Sequence, residues 1–116
     1  MRIGFSALLL TALLPVVQSC AVWAPGKDPA GQAYIASANK VLFAIQAYHA
    51  AEGRLPSSLT ELVPKYIPSL PDKPDIWIAK ATGELSFHYS PTLGWGQCIC
   101  VATPTASSFG CGLCYW

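Results

Sequence analysis

Ala51-Glu52-Gly53-Arg54-Leu55-Pro56, followed at once by Ser57-Ser58-Leu59-Thr60-Glu61-Leu62-Val63-Pro64, is the stretch whose reading decides the fold, because it stops one helix and starts another. Gly53 suits the left-handed conformation that closes a helix, and Pro56 cannot continue one. Ser58-Leu59-Thr60-Glu61 is a capping box: the serine side chain accepts from the backbone at Glu61, and the glutamate carboxylate reaches back to the backbone at Ser58. A turn or two of helix therefore starts at Ser58 and ends before Pro64. The helix that Gly53 closes must lie upstream.

Upstream, Asp28-Pro29 is a good helix start, since Asp caps free N–H groups and Pro suits the first helical position. Tyr34, Ile35, Ala38, Val41, Leu42, Ile45 and Tyr48 recur at spacings of three and four and so share one face, while Gln32, Asn39, Lys40 and Gln46 fall mainly elsewhere. The spacing predicts a helix over 29–52.

Downstream, Pro64, Pro68, Pro71 and Pro74 force extended chain, with Tyr66, Ile67 and Leu70 available to plug a core. Polyproline-type recognition by a partner is the alternative use of this segment. Residues 76–80 and 84–90 read as a hairpin around Ala81-Thr82-Gly83, with Leu85, Phe87 and Tyr89 on one face of the second strand and Ser86 and His88 on the other. Residues 97–102 form a third strand, and a polar loop over 103–110 leads into Cys111-Gly112-Leu113-Cys114-Tyr115-Trp116. The fold class is α+β: one long helix packed on a small three- to four-stranded antiparallel sheet.

The start of the chain reads as a delivery device. Met1-Arg2 precedes an apolar run from Ile3 to Val17, too short for a comfortable membrane span of about 20 apolar residues but suited to a secretory signal peptide. Its end, Val17-Gln18-Ser19-Cys20-Ala21, resembles a bacterial lipobox, in which the cysteine is lipidated and becomes the new N-terminus. The expected organisation is a signal peptide over 1–19, a lipid-anchored tether over 20–27 and a folded domain over 28–116. Extended at roughly 3.3 Å per residue, the tether would hold the domain about 20 to 25 Å from a membrane. A competing reading takes Gly4-Phe5 as a prepilin cleavage site; Leu9 then stands where that family carries an acidic residue, and Pro15, Pro25, Gly26 and Pro29 interrupt the long helix a filament subunit needs.

Of the 116 residues, 97 remain after removal of 1–19, a domain small enough to bury only about two-thirds of its unfolded surface, so covalent staples are expected. Seven basic and six acidic residues give a net charge of +1, and loss of Arg2 leaves a neutral chain. Without Lys/Arg clusters there is no electrostatic footprint for nucleic acid.

The segment 34–91 resembles the globular heads of type IV pilin-like proteins, particularly the major pseudopilin of type II secretion systems. The residues that carry the resemblance are Ala47-Tyr48-His49-Ala50-Ala51-Glu52-Gly53-Arg54-Leu55-Pro56, then Ser58-Leu59-Thr60-Glu61-Leu62-Val63-Pro64-Lys65-Tyr66-Ile67-Pro68-Ser69-Leu70-Pro71, and Leu85-Ser86-Phe87-His88-Tyr89-Ser90-Pro91. The resemblance implies a helix, a Gly-Arg-containing turn, a short Ser-Leu segment and a small antiparallel sheet in an envelope setting. Filament assembly is not implied, because the polymerisation helix is missing. Nor is the family's calcium loop, because Glu84 is the last acidic residue in the chain.

Five cysteines in an exported chain leave one over after pairing, and Cys20 stands apart from the rest. Cys98 and Cys100 share a strand face, which suits bridging to Cys111 and Cys114 better than to each other; the nested pairing Cys98 with Cys114 and Cys100 with Cys111 is favoured, with Gly112 as a bulge. A four-thiolate zinc site and a redox-active Cys111-Gly112-Leu113-Cys114 are the alternatives, the first set back by its Cys-x-Cys spacing and the second by the lack of a following helix. His49 and His88 read as surface or packing residues, and Asp72 and Asp75 as a solvated turn. No hydrolase or phosphate-binding motif is present. The expected protein is a non-enzymatic envelope component without a cofactor, held to a membrane through Cys20 and facing an envelope protein partner.

Overall fold

The computed structural model describes residues 23–92 and 96–115. The first element is helix α1, Pro29–Glu52, with Asp28 as N-cap and Gly53 as C-cap. Gly53 takes φ of 75° and donates its N–H to the His49 carbonyl, so the left-handed stop lies where Gly53 predicts it. Ala38, Val41, Leu42, Ile45 and Tyr48 are buried along one face; Tyr34 and Ile35 are only half-buried and pack at its margin.

A short 3-10 helix, Leu59–Leu62, follows the turn with both halves of the Ser58/Glu61 capping box in place. Glu61 does more than cap. It accepts from the Tyr48 hydroxyl at 2.9 Å and from Arg54 at 3.2 Å as well as from the Ser57 and Ser58 N–H groups, so one carboxylate ties the end of α1 to the segment after it. Ile67 is buried and Tyr66 and Leu70 pack against the core, which accounts for the proline-rich stretch as a covering loop.

Four strands then form one sheet in sequence order, all antiparallel: β1 Trp77–Ile78, β2 Leu85–Tyr89, β3 Gln97–Ala102 and β4 Gly110–Tyr115. β1 is shorter than the residue pattern predicts, because the chain after Ala79 rolls into a turn in which Gly83, at φ of 75°, donates back to the Ala79 carbonyl. Leu85, Phe87, Tyr89, Cys98, Cys100 and Ala102 line the inner face against α1. Phe87 and Leu42, both essentially inaccessible, each contribute about 1.5–3 kcal/mol of burial.

Two polar residues of α1 expected away from the apolar face have tertiary roles. Asn39 accepts from the Phe109 N–H at 3.0 Å, and Gln46 donates to the carbonyls of Pro104 and Ala106 at 3.1 and 2.7 Å. They hold the loop between β3 and β4 so that Phe109 inserts against Phe87, with ring centroids 5.2 Å apart.

At the other end of α1 the packing is tight enough to demand glycine. A Cβ on Gly31 would lie 2.6 Å from the Tyr89 hydroxyl, 2.8 Å from an Asp28 carboxylate oxygen and 2.9 Å from the Gly26 Cα. Alanine is intrinsically better in a helix by about 1 kcal/mol. The clash outweighs that gain, so Gly31→Ala is expected to destabilise by about 1–3 kcal/mol in chemical denaturation; a variant more stable than the parent would contradict the packing described.

Candidate functional site

The four C-terminal cysteines come together across β3 and β4. Cys98 is bonded to Cys114 and Cys100 to Cys111, a nested pair of bridges between facing residues. Cys114 stands three positions after Cys111, which would put them on opposite faces of a regular strand. The register shift beside Ile99 and Cys100 leaves Gly112 as the extra residue, and this bulge turns both sulfurs to the inner face. Cys98 and Cys100 are fully buried, Cys111 is half-buried and Cys114 is exposed. In this state all four sulfurs are bonded to one another and serve as staples. Cys20 lies outside the described residues.

The other singled-out residues do not converge. His49 is exposed at the end of α1, beside an open groove formed with Leu55, Pro104 and Ala106. His88 is exposed on β2, on the opposite side of the sheet from the helix. Asp72 and Asp75 are exposed in the turn before β1. Among the described residues, no group of three His, Cys, Asp or Glu side chains is placed to hold a metal ion, and no helix is long and apolar enough to cross a membrane.

Two features were missed by sequence reasoning. The first is the buried node around Asp28, which is only 3 % exposed. One carboxylate oxygen accepts from the Tyr89 hydroxyl at 2.6 Å; the other accepts from the Thr92 N–H and hydroxyl, both at 2.8 Å, and from the Gly31 N–H at 3.3 Å. Tyr89 in turn accepts from the Gly26 N–H at 2.8 Å, and the Thr92 hydroxyl accepts from the Ala30 N–H at 2.9 Å. Lys27 donates to the Ala24 carbonyl, so residues 24–27 form a turn packed on the domain rather than an extended tether. Burial pushes the Asp28 carboxyl up, but the four hydrogen bonds outweigh it and hold the group down at about 2. Burial and donation to Asp28 push the Tyr89 hydroxyl up to about 12.

The second is the outer face of the sheet. Trp77, Val101, Leu113 and Tyr115 are all exposed there, Trp77 and Leu113 at 61 % each. The His88 ring lies 5.7 Å from that of Trp77 and 6.4 Å from that of Tyr115, joining the three into one row across the sheet. The alternation in β2 and β3 puts side chains on this face, but nothing in it indicates that the face lacks a cover.

Two outcomes follow. Because the Asp28 carboxyl is depressed in the fold, its stabilisation is present above the ordinary carboxylate range and is lost as pH falls toward 2; it amounts to about 2 kcal/mol once partial solvent screening is allowed for. Asp28→Asn should therefore be less stable at pH 7 and lose less stability than the parent between pH 4 and 2, as read by urea midpoints. Replacing Cys98 and Cys114 by serine, closing residues 16 apart, or Cys100 and Cys111, 11 apart, should cost up to about 3 kcal/mol for either bridge. The first removed costs less than that, because the bridge that remains still closes the same hairpin.

No family model matches the chain, and no curated protein or solved structure matches it.

Proposed function

We propose that the chain is a non-enzymatic, lipid-anchored protein of the bacterial cell envelope, a structural or interaction component whose disulfide-stapled, pseudopilin-like head faces another envelope protein. The observation that carries this reading is the pairing of the four body cysteines with one another, because it leaves Cys20, at the end of an apolar leader, without a partner among them. Paired cysteines also suit an oxidising, exported setting. The pilin-like part of the proposal rests on the quoted residues over 34–91 and is supported by the order of helix, capped turn and antiparallel sheet.

The same geometry favours a head hung from a lipid over a filament subunit processed after Gly4. α1 is closed at Asp28 by a buried cap, and continuing it upstream would require residues 24–27 to leave their turn and Gly26 to leave Tyr89. A stalk running into the head as one helix does not fit that closure. Intact mass of the mature protein provides the test. Loss of residues 1–19 with acyl groups on Cys20 is the expected result, and Cys20→Ala should abolish the acyl mass; a mature chain beginning at Phe5 would replace this reading with the filament one.

A further inference from the structure

We propose that Cys98–Cys114 is a thiol–disulfide exchange site, attacked by a dithiol at the Cys114 sulfur, and that its opening releases residues 112–115 while Cys100–Cys111 keeps the rest of the hairpin closed. Access separates the two bridges. Cys98 and Cys100 are both wholly buried, so neither bridge is approached from its β3 side. Of their partners on β4, Cys114 is exposed and Cys111 is half-buried. The turn over 24–27 lies against Cys111, so closely that a Cβ added to Gly26 would come within 2.9 Å of its sulfur. Exchange requires a thiolate to reach one sulfur of the bond, and its rate follows access to that sulfur. The leaving sulfur is buried in both bridges, so it does not distinguish them, and the exposure of Cys114 does. In the exchange, one thiolate of the dithiol bonds to the Cys114 sulfur, the Cys98–Cys114 bond breaks, and its electron pair leaves on the Cys98 sulfur, which takes up a proton. The second thiolate of the dithiol then displaces Cys114, which leaves as a thiolate and is protonated in turn. The bridge has gained two electrons and two protons, and the dithiol is left as a disulfide.

The bulge at Gly112 divides β4 into two parts that respond differently. Before it, Cys111 stays bonded to Cys100, and Phe109 stays buried in the core. After it, Gly112, Leu113, Cys114 and Tyr115 are all exposed, on the last strand of the sheet. Among the described residues this part is held by pairing of Leu113, Cys114 and Tyr115 with Ile99, Cys98 and Gln97, by the ring contact of Tyr115 with His88 at 6.4 Å, and by the bridge itself. A segment with little buried apolar area and exposed backbone bonds opens at low free energy once its cross-link is gone. Its release takes Leu113 and Tyr115 out of the exposed row beside Trp77 and His88, so the redox state of one bridge decides whether the outer face of the sheet is complete.

The full oxidised chain is treated with N-ethylmaleimide to block any free thiol, Cys20 included, and then with limiting dithiothreitol; samples are quenched in acid, alkylated with iodoacetamide and mapped by mass spectrometry. A form alkylated at Cys98 and Cys114 alone is expected to appear about tenfold faster than label at Cys100 and Cys111. Label arriving first at Cys100 and Cys111, or at all four cysteines together, overturns the proposal. Glutathione in place of dithiothreitol identifies the attacked sulfur: an adduct on Cys114 with Cys98 alkylated is expected, and an adduct on Cys98 overturns the assignment. Amide hydrogen exchange of the form alkylated at Cys98 and Cys114 reads the release. Protection lost over 113–115 and kept in β2 supports it; protection kept over 113–115, or lost throughout β2 and α1 as well, overturns it.

Discussion

The Asp28 carboxylate is the constraint on which the arrangement of this small domain depends. It lies where three parts of the chain meet: the turn over 24–27, the start of α1 and the end of β2. An N-cap ordinarily satisfies one or two free N–H groups at a helix terminus. Here the same carboxylate also takes a tyrosine hydroxyl and a threonine more than sixty residues away, so capping the helix and docking it on the sheet become a single event. A buried, ionised carboxylate is costly unless it is well hydrogen-bonded, and four donors, one to Oδ1 and three to Oδ2, meet that demand. Gly31 follows from it, since the approach of Tyr89 to Asp28 leaves no room there for a side chain, whereas Gly26 is required by its φ of 80° and by the closeness of Cys111.

At the far end of α1 a second carboxylate plays a comparable part in a wetter setting. Glu61 gathers Tyr48, Arg54 and two backbone N–H groups, and Arg54 also lies 5.2 Å from the centre of the Tyr48 ring. Those hydrogen bonds hold its carboxyl down at about 2, led by the Tyr48 hydroxyl. The helix is thus pinned at one end by its cap Asp28 and at the other by Glu61 of the segment that follows, and its middle is held by apolar packing and by the Asn39 and Gln46 contacts to the β3–β4 loop. A helix fixed at three places along its length leaves the sheet little freedom to slide, which a marginal core alone would not secure.

What was legible in the sequence follows the range of the interactions concerned. The bounds of α1 and the capping box rest on local chemistry, at Asp28-Pro29, Gly53 and Ser58 to Glu61, and they fall where those residues predict. The inner faces of β2 and β3 were legible because alternation is itself local. β1 came out shorter because its length depends on where the Gly83 turn closes, a matter of partner geometry. The second role of Asp28 was hidden for the same reason: Tyr89 and Thr92 carry no local mark as its donors. The contacts of Asn39 and Gln46 were hidden because a periodicity only places them off the apolar face, and a loop arriving from residues 104–109 covers that side. The exposed row of Trp77, His88 and Tyr115 was hidden differently, since each residue is ordinary in a strand and only the register aligns them.

The same connections join the segment before α1 to the disulfide-bonded part of the sheet. The turn over 24–27 is joined to β2 by the Gly26–Tyr89 hydrogen bond, and the cap of α1 by the Asp28–Tyr89 one. β2 is paired along five positions with β3, and β3 is covalently joined to β4 at two. The turn that precedes α1 is therefore linked through β2 to the most heavily cross-linked part of the sheet. β2 is thus the strand that joins the Asp28 node at the start of α1 to the strands held by the two disulfides.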